Sequence, residues 1–350
     1  MSEVADALRV PTVRDLDDRE LVEELERRGW ILHQDDPKAE RHIELDAPKR
    51  GKVRCAFVSD THLGSKYQQV TYWRQFYEVA RAFRVDYGFH LGDVVDGSHK
   101  MHRGMEYEQF RLGYEAQRAY AVEAWPELRS ARGKQLTQYV IGGNHDGSFH
   151  ADVGANILSD IGHERPDVEF LGAPAATFHI SGVQIYLLHP DGGVPYARSY
   201  RPQKAVEQIA PDEKPNLWVA GHWHVPVHVP GYRNVEAFTL PCFQSQTPYL
   251  RRKALAPVVG GLLMEIEFSE RGLEDLTTRW VIFRNPMEKD WPGAVVTIWP
   301  HGLAVTLPWL DAYVRWPAKG QRFSTRMGWW HVPPAAGRSG SPRVSASTAE

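Results

Sequence analysis

Five short stretches of this chain end in side chains that can bind metal or move protons. They are "DTH" (Asp60, His62), "GDVVDG" (Asp93, Asp96), "GGNHD" (Asn144, His145, Asp146), "LHPDGG" (His189) and "GHWH" (His222, His224). His222 and His224 stand two residues apart, so on extended backbone both imidazoles point the same way. Taken alone, such a pair is more often a turn with two exposed histidines than a metal site. The repetition carries the weight, because strand ends in α/β sheets face a common crevice. Asp60, His62, Asp93, Asn144, His189, His222 and His224 form a mixed nitrogen and oxygen set of seven. One mononuclear site uses three or four protein ligands, so seven suggest two divalent ions. A bridging carboxylate lets two cations sit about 3.5–4 Å apart, hold a hydroxide nucleophile and clamp a phosphoryl oxygen. Imidazole with carboxylate favours Mn, Fe or Zn over Mg or Ca, and Mn is expected first.

Each stretch follows an apolar run. "VRCAFVS", "VDYGFHLGD", "QLTQYVIGGN", "VQIYLLH" and "NLWVAGH" read as strands, and "VEFLG", "ATFHISG", "VEAFTLP", "VVGGLLMEIEF" and "LTTRWVIF" as further ones. "VTYWRQFYEVARAFR" reads as an amphipathic helix with Trp73, Phe76, Tyr77 and Ala80 on one face, and "YEQFRLGYEAQRAYAVEAW" as one long helix. Helices alternating with strands, then a β-rich half, predict an α/β fold of two sheets face to face with helices outside. Residues 1–48 read as a helical extension (from Thr12 to Trp30) and a polar linker. Residues 49–285 read as the main domain, 286–333 as a Trp-rich extension whose aromatics fill a β-rich core, and 334–350 as a disordered tail.

Composition narrows the class. The 350 residues carry a net charge of −3, which advertises neither a nucleic-acid nor a membrane surface. Two cysteines without a C-x-x-C spacing fit a reducing compartment. With no signal pattern and no run of eighteen apolar residues, the expected location is the cytoplasm. No particular oligomeric state is implied.

The ordered set "DTH … GDVVDG … GGNHD … H … GHWH" resembles the calcineurin-like metallophosphoesterase superfamily, from about Val53 to Phe283. The resemblance implies a four-layer α/β/β/α sandwich of two mixed sheets and a dinuclear centre that hydrolyses phosphate esters. Carried over by motif, Asp60, His62 and His224 bind one metal, Asp93 bridges, and Asn144, His189 and His222 bind the second. His145 assists the leaving oxygen, and Asp96 stands where phosphatase members orient that histidine. Protein Ser/Thr phosphatases read GD-x-V-D-R-G and G-N-H-E. Here Gly97 follows Asp96 and Asp146 follows His145, which looks more like phosphodiesterase and repair-nuclease branches. The basic clusters around Arg198 and Arg201, and around Arg251 and Arg252, read by default as solvated faces, and beside a phosphoesterase crevice they are candidates for phosphate contact. The expected substrate is a phosphodiester, with nucleic acid inside that class. The alternatives are a phosphomonoesterase, which Asp96 favours, and a non-catalytic metal-binding scaffold.

Overall fold

The computed structural model of the protein describes residues 41–292 and the backbone of five strands beyond them. The expected N-terminal helix and C-terminal tail lie outside the described residues.

In chain order the first sheet-building elements are β1 (Arg41–Glu44), β2 (Lys52–Val58), α1 (Val70–Phe83) and β3 (Tyr87–Leu91). Next come α2 (Tyr114–Ala124), β4 (Gln138–Ile141), α3 (Asn144–Val153), α4 (Ile157–Glu164) and β5 (Val168–Phe170). The second half holds β6 (Ala175–Ile180), β7 (Val183–Leu188), α5 (Tyr200–Gln208), β8 (Leu217–Ala220), β9 (Val227–Tyr232) and β10 (Val235–Thr239). Then follow α6 (Pro248–Arg252), β11 (Val259–Ser269) and β12 (Gly272–Phe283).

Two six-stranded mixed sheets result, ordered β12-β11-β2-β3-β4-β5 and β1-β6-β7-β8-β10-β9. Strand β2 shows how period two builds the layers. Val53, Cys55 and Phe57 face the core between the sheets, with Phe89, Phe178, Leu187, Leu217 and Met264. Ala56 and Val58 face outward, under Trp73, Phe76 and Ala80 of α1 and Ile161 of α4. On the far side, Val206 of α5 packs on Trp218, Ala220, Val235 and Ala237. Three apolar layers separated by two sheets make the expected four-layer α/β/β/α arrangement.

Strands β2 to β5 run parallel, as do β7, β8 and β10. The loops after β2, β3, β4, β7 and β8 carry the five motifs.

Three readings need correction. The expected long second helix begins only at Tyr114, because Gly113 sits at φ +84° and the chain ahead of it forms a 3₁₀ turn at Glu106–Glu108. The polar linker contains edge strand β1, paired in parallel with β6. Its side chains are mostly exposed, so it lacks the apolar alternation of an inner strand. Packing also continues past residue 285. Thr71 donates to Asp290 Oδ1 at 2.6 Å, Gln69 donates to the Met287 carbonyl at 3.0 Å, and Trp291 stacks on Phe110. Beyond that, Val295–Trp299, Gly302–Leu307, Ala312–Pro317, Arg322–Thr325 and Gly328–His331 pair in this order as a five-stranded antiparallel sheet. No helix among the described residues is long and apolar enough to cross a membrane.

Candidate metal centre

The motif loops meet where the carboxyl ends of the parallel strands converge. Asp60, His62 and His224 bring ligand atoms within 4.8 Å of one another, and so do Asp93, His189 and His222; His62, Asp93 and His145, and Asp96, His102 and His145, come as close. His62 Nε2 lies 3.4 Å from His224 Nε2, and His224 Nε2 lies 3.1 Å from Asp60 Oδ1. His189 Nε2 lies 3.2 Å from Asp93 Oδ2. Asn144 lines the same cleft with its Oδ1 buried and unpartnered.

The backbone reports the cost of this convergence. Asp60, His62, Asp93, His222 and His224 all have φ between +45° and +76°. Side chains rarely adopt that region, and five of the ten described non-glycine residues in it are these ligand candidates. Two glycines let the loops close. A Cβ on Gly143 would lie 2.2 Å from Asp93 Oδ1, and one on Gly221 would lie 2.2 Å from Ser59 Oγ.

Main-chain donors aim the carboxylates. The His222 N–H donates to Asp60 Oδ2 at 2.9 Å, and the His145 N–H donates to Asp93 Oδ1 at 2.8 Å. Asp146, the fourth residue of G-N-H-D, accepts from the N–H groups of Gly143 and Val95 at 2.9 and 3.0 Å. It thereby ties the β3 and β4 loops together. Burial first, and then the charge of Asp93, push the Asp146 carboxyl up to about 7 against those donors.

The donor set fits divalent cations. His189 Nδ1 lies 2.6 Å from the Leu91 carbonyl, so that nitrogen carries the proton and Nε2 is left facing Asp93. Burial opposes charge on His189, yet Asp93 outweighs it and raises the imidazole to about 9. Burial likewise opposes charge on Asp93, but His189 and His145 hold its carboxyl well below the usual range. The pair therefore asks for positive charge between its atoms, which a proton or a cation supplies. His222 Nε2 lies 2.9 Å from the Gly192 carbonyl, leaving its Nδ1 as the lone-pair nitrogen.

Asp96 stands differently from the expectation. The Asp96 main-chain carbonyl, 2.7 Å from His145 Nδ1, orients that ring, while its carboxylate sits 3.3 Å from His62 Nδ1. The chain turns at Gly97 (φ +89°), which presents the carbonyl rather than the side chain to His145. The same carbonyl lies 2.6 Å from Nε2 of His102, a buried histidine of the cleft that the motifs do not mark. Gln244 reaches Asp96 Oδ1 at 3.4 Å and carries no sequence signal either. His90 is buried against Trp73 and Trp125, with Nε2 3.1 Å from Thr61 Oγ1. Burial lowers it to about 3, so it is a neutral packing residue.

The cleft measures about 820 Å³. Of the four expected substrate arginines, only Arg198 lines it. The Arg201 guanidinium packs near Gly192, Arg251 bonds to Gln246 at 3.4 Å, and Arg252 meets the Met105 sulfur.

The model of the calcineurin-like phosphoesterase family matches residues 53–226. No curated protein matches the chain. Among solved structures, a conserved uncharacterized protein from Streptococcus pneumoniae, described as a predicted phosphoesterase, is 14% identical. The match covers 65% of this chain and 98% of that one, with a TM-score of 0.31. A Vps29 single mutant from Entamoeba histolytica is 13% identical over 66% of this chain and 100% of its own, with a TM-score of 0.33. The family match spans all five motif stretches, and the chain belongs to the calcineurin-like phosphoesterases, metal-dependent hydrolases of phosphate esters.

Proposed function

We propose that the protein hydrolyses phosphodiesters with two divalent ions. Asp60, His62 and His224 hold one, Asn144, His189 and His222 hold the other, and Asp93 belongs to both. The observation that carries this reading is the pair of ligand trios behind one cleft, which His62, Asp93, Asn144, His222 and His224 line, on loops whose backbone is strained at five of the candidate positions. Manganese, which suits the carboxylate and amide oxygens, is the first candidate, and iron or zinc, which imidazole suits, are the next. When bound, such a pair supplies a nucleophile from water at neutral pH and positive charge for the phosphoryl oxygens.

The remaining roles belong to the chain. Asp60 and Asp93 are held by the main-chain N–H groups of His222 and His145, so their free oxygens keep one aim. His145, fixed through Nδ1 on the Asp96 carbonyl, gives the proton at Nε2 to the leaving oxygen. The rest of the cleft supports a diester. Arg198 is the only lysine or arginine among its described lining residues, and Met101, Met105, Leu250, Leu255 and Pro257 form an apolar flank. A diester brings one negative charge and two organic arms, whereas a monoester brings up to two charges and one arm. Nucleic acid falls within this class. Two buried, unpaired cysteines agree with a reducing compartment, the cytoplasm.

The test is paired hydrolysis of bis-p-nitrophenyl phosphate and p-nitrophenyl phosphate with Mn²⁺. Faster cleavage of the diester is expected. Faster cleavage of the monoester makes the protein a phosphatase.

A further inference from the structure

A second cavity of about 450 Å³ adjoins the metal cleft, lined by Arg103, Gly104, Met105, Tyr249, Arg252 and Lys253. Met105 and Tyr249 line both spaces, so the two share a wall. Three of the six residues are cations and none is a carboxylate. Elsewhere Lys52 pairs with Glu265 and Arg165 with Asp167. Among the described residues, Arg103, Arg252 and Lys253 have no carboxylate partner. Arg252 leans on the Met105 sulfur at 2.9 Å, and the Lys253 ammonium lies 5.8 Å over the Tyr249 ring. Local structure fixes two of them. Thr247 caps the short α6 through Leu250 N–H at 3.2 Å, and the Lys253 N–H bonds back to the Tyr249 carbonyl at 3.1 Å. The three cations are exposed and line one open hollow, and arginine forks match phosphate oxygens.

We propose that this cavity is a second phosphate subsite. The substrate is a phosphodiester with a further phosphate, seated among Arg103, Arg252 and Lys253 while the scissile phosphate lies in the metal cleft. This rests on the phosphodiesterase reading. The Met105–Tyr249 wall gives an apolar and aromatic surface for the sugar or base between the two phosphates. An oligonucleotide and a small nucleotide with a second phosphate share this chemistry.

Two substrate pairs test it at low salt with Mn²⁺. One is thymidine 5′-(p-nitrophenyl phosphate) with and without a 3′-phosphate. The other is the dinucleotide TpT with and without a 5′-phosphate. In at least one pair the extra phosphate should raise kcat/KM about tenfold, through KM, and 200 mM salt should erode the gain. The double variant Arg103→Ala/Lys253→Ala should bring that ratio to about one. An octathymidylate separates the sources. Further gain over the second phosphate marks a strand, and no further gain marks a small nucleotide. Ratios near one in both wild-type pairs, or a ratio that survives in the double variant, overturn the subsite. If none of the diesters is cleaved while p-nitrophenyl phosphate is, the phosphodiesterase reading has failed instead.

Discussion

The two walls of the cleft are built on different principles. The motif wall consists of loops that leave parallel strand ends and are pinned by main-chain hydrogen bonds from Gly143, His145 and His222. Five of its seven ligand candidates sit in strained backbone that the two sheets over-determine. The other wall, residues 101–108 and 249–257, comes from a loop with a 3₁₀ turn and from the short α6 with the loop after it, and offers Met101, Met105, Tyr249, Leu250 and Leu255. Met101 and Tyr249 are exposed there. One wall fixes a reaction, and the other can vary with the substrate.

The comparison predicts unequal damage. Asp93→Asn, on the motif wall, should give the largest loss. It removes the charge of the carboxylate proposed to serve both ions, and metal content measured by elemental analysis should fall with activity. His145→Ala should keep the metal and lower kcat on the order of 10²–10⁴-fold, the loss typical of a general acid. If metal content falls as well, His145 is a ligand and its assigned role is wrong. Leu250→Ala with Leu255→Ala, on the other wall, should raise KM for the nitrophenyl diester several-fold, with kcat nearly kept, since uniform binding is lost. The smallest effect contrasts two glycines four residues apart. Gly143→Ala forces a Cβ into Asp93 and should cost activity and melting temperature. Gly147→Ala meets open space in α3 and should gain about 0.5–1 kcal/mol of stability.

The same contrast separates what was legible in the sequence from what was not. Every motif residue is a polar side chain standing just after an apolar run, so spacing alone collects Asp60, Asp93, Asn144, His189 and His222 at strand ends. Strand β2 and helix α1 were legible for a related reason, since their apolar periods match the faces they bury. His102 stands out in the sequence only as a loop histidine near the motifs, and Gln244 not at all. They reach Asp96 from loops, and no period or motif marks a loop residue that folds back. Asp96 itself was read by type as a carboxylate, while the fold presents its carbonyl to His145. Which atom a residue offers depends on a turn at Gly97 that letters alone do not reveal. The second cavity joins Arg103 to Arg252 and Lys253 across about 150 residues, a proximity that only the fold supplies.

The central claim is that the two trios hold two divalent ions joined through Asp93. The most direct measurement is equilibrium Mn²⁺ binding per chain, in wild type and in Asp93→Asn. The account predicts two ions bound to the wild type, and both weakened together in the variant. A single ion in the wild type, or a variant that keeps two at unchanged affinity, would contradict it.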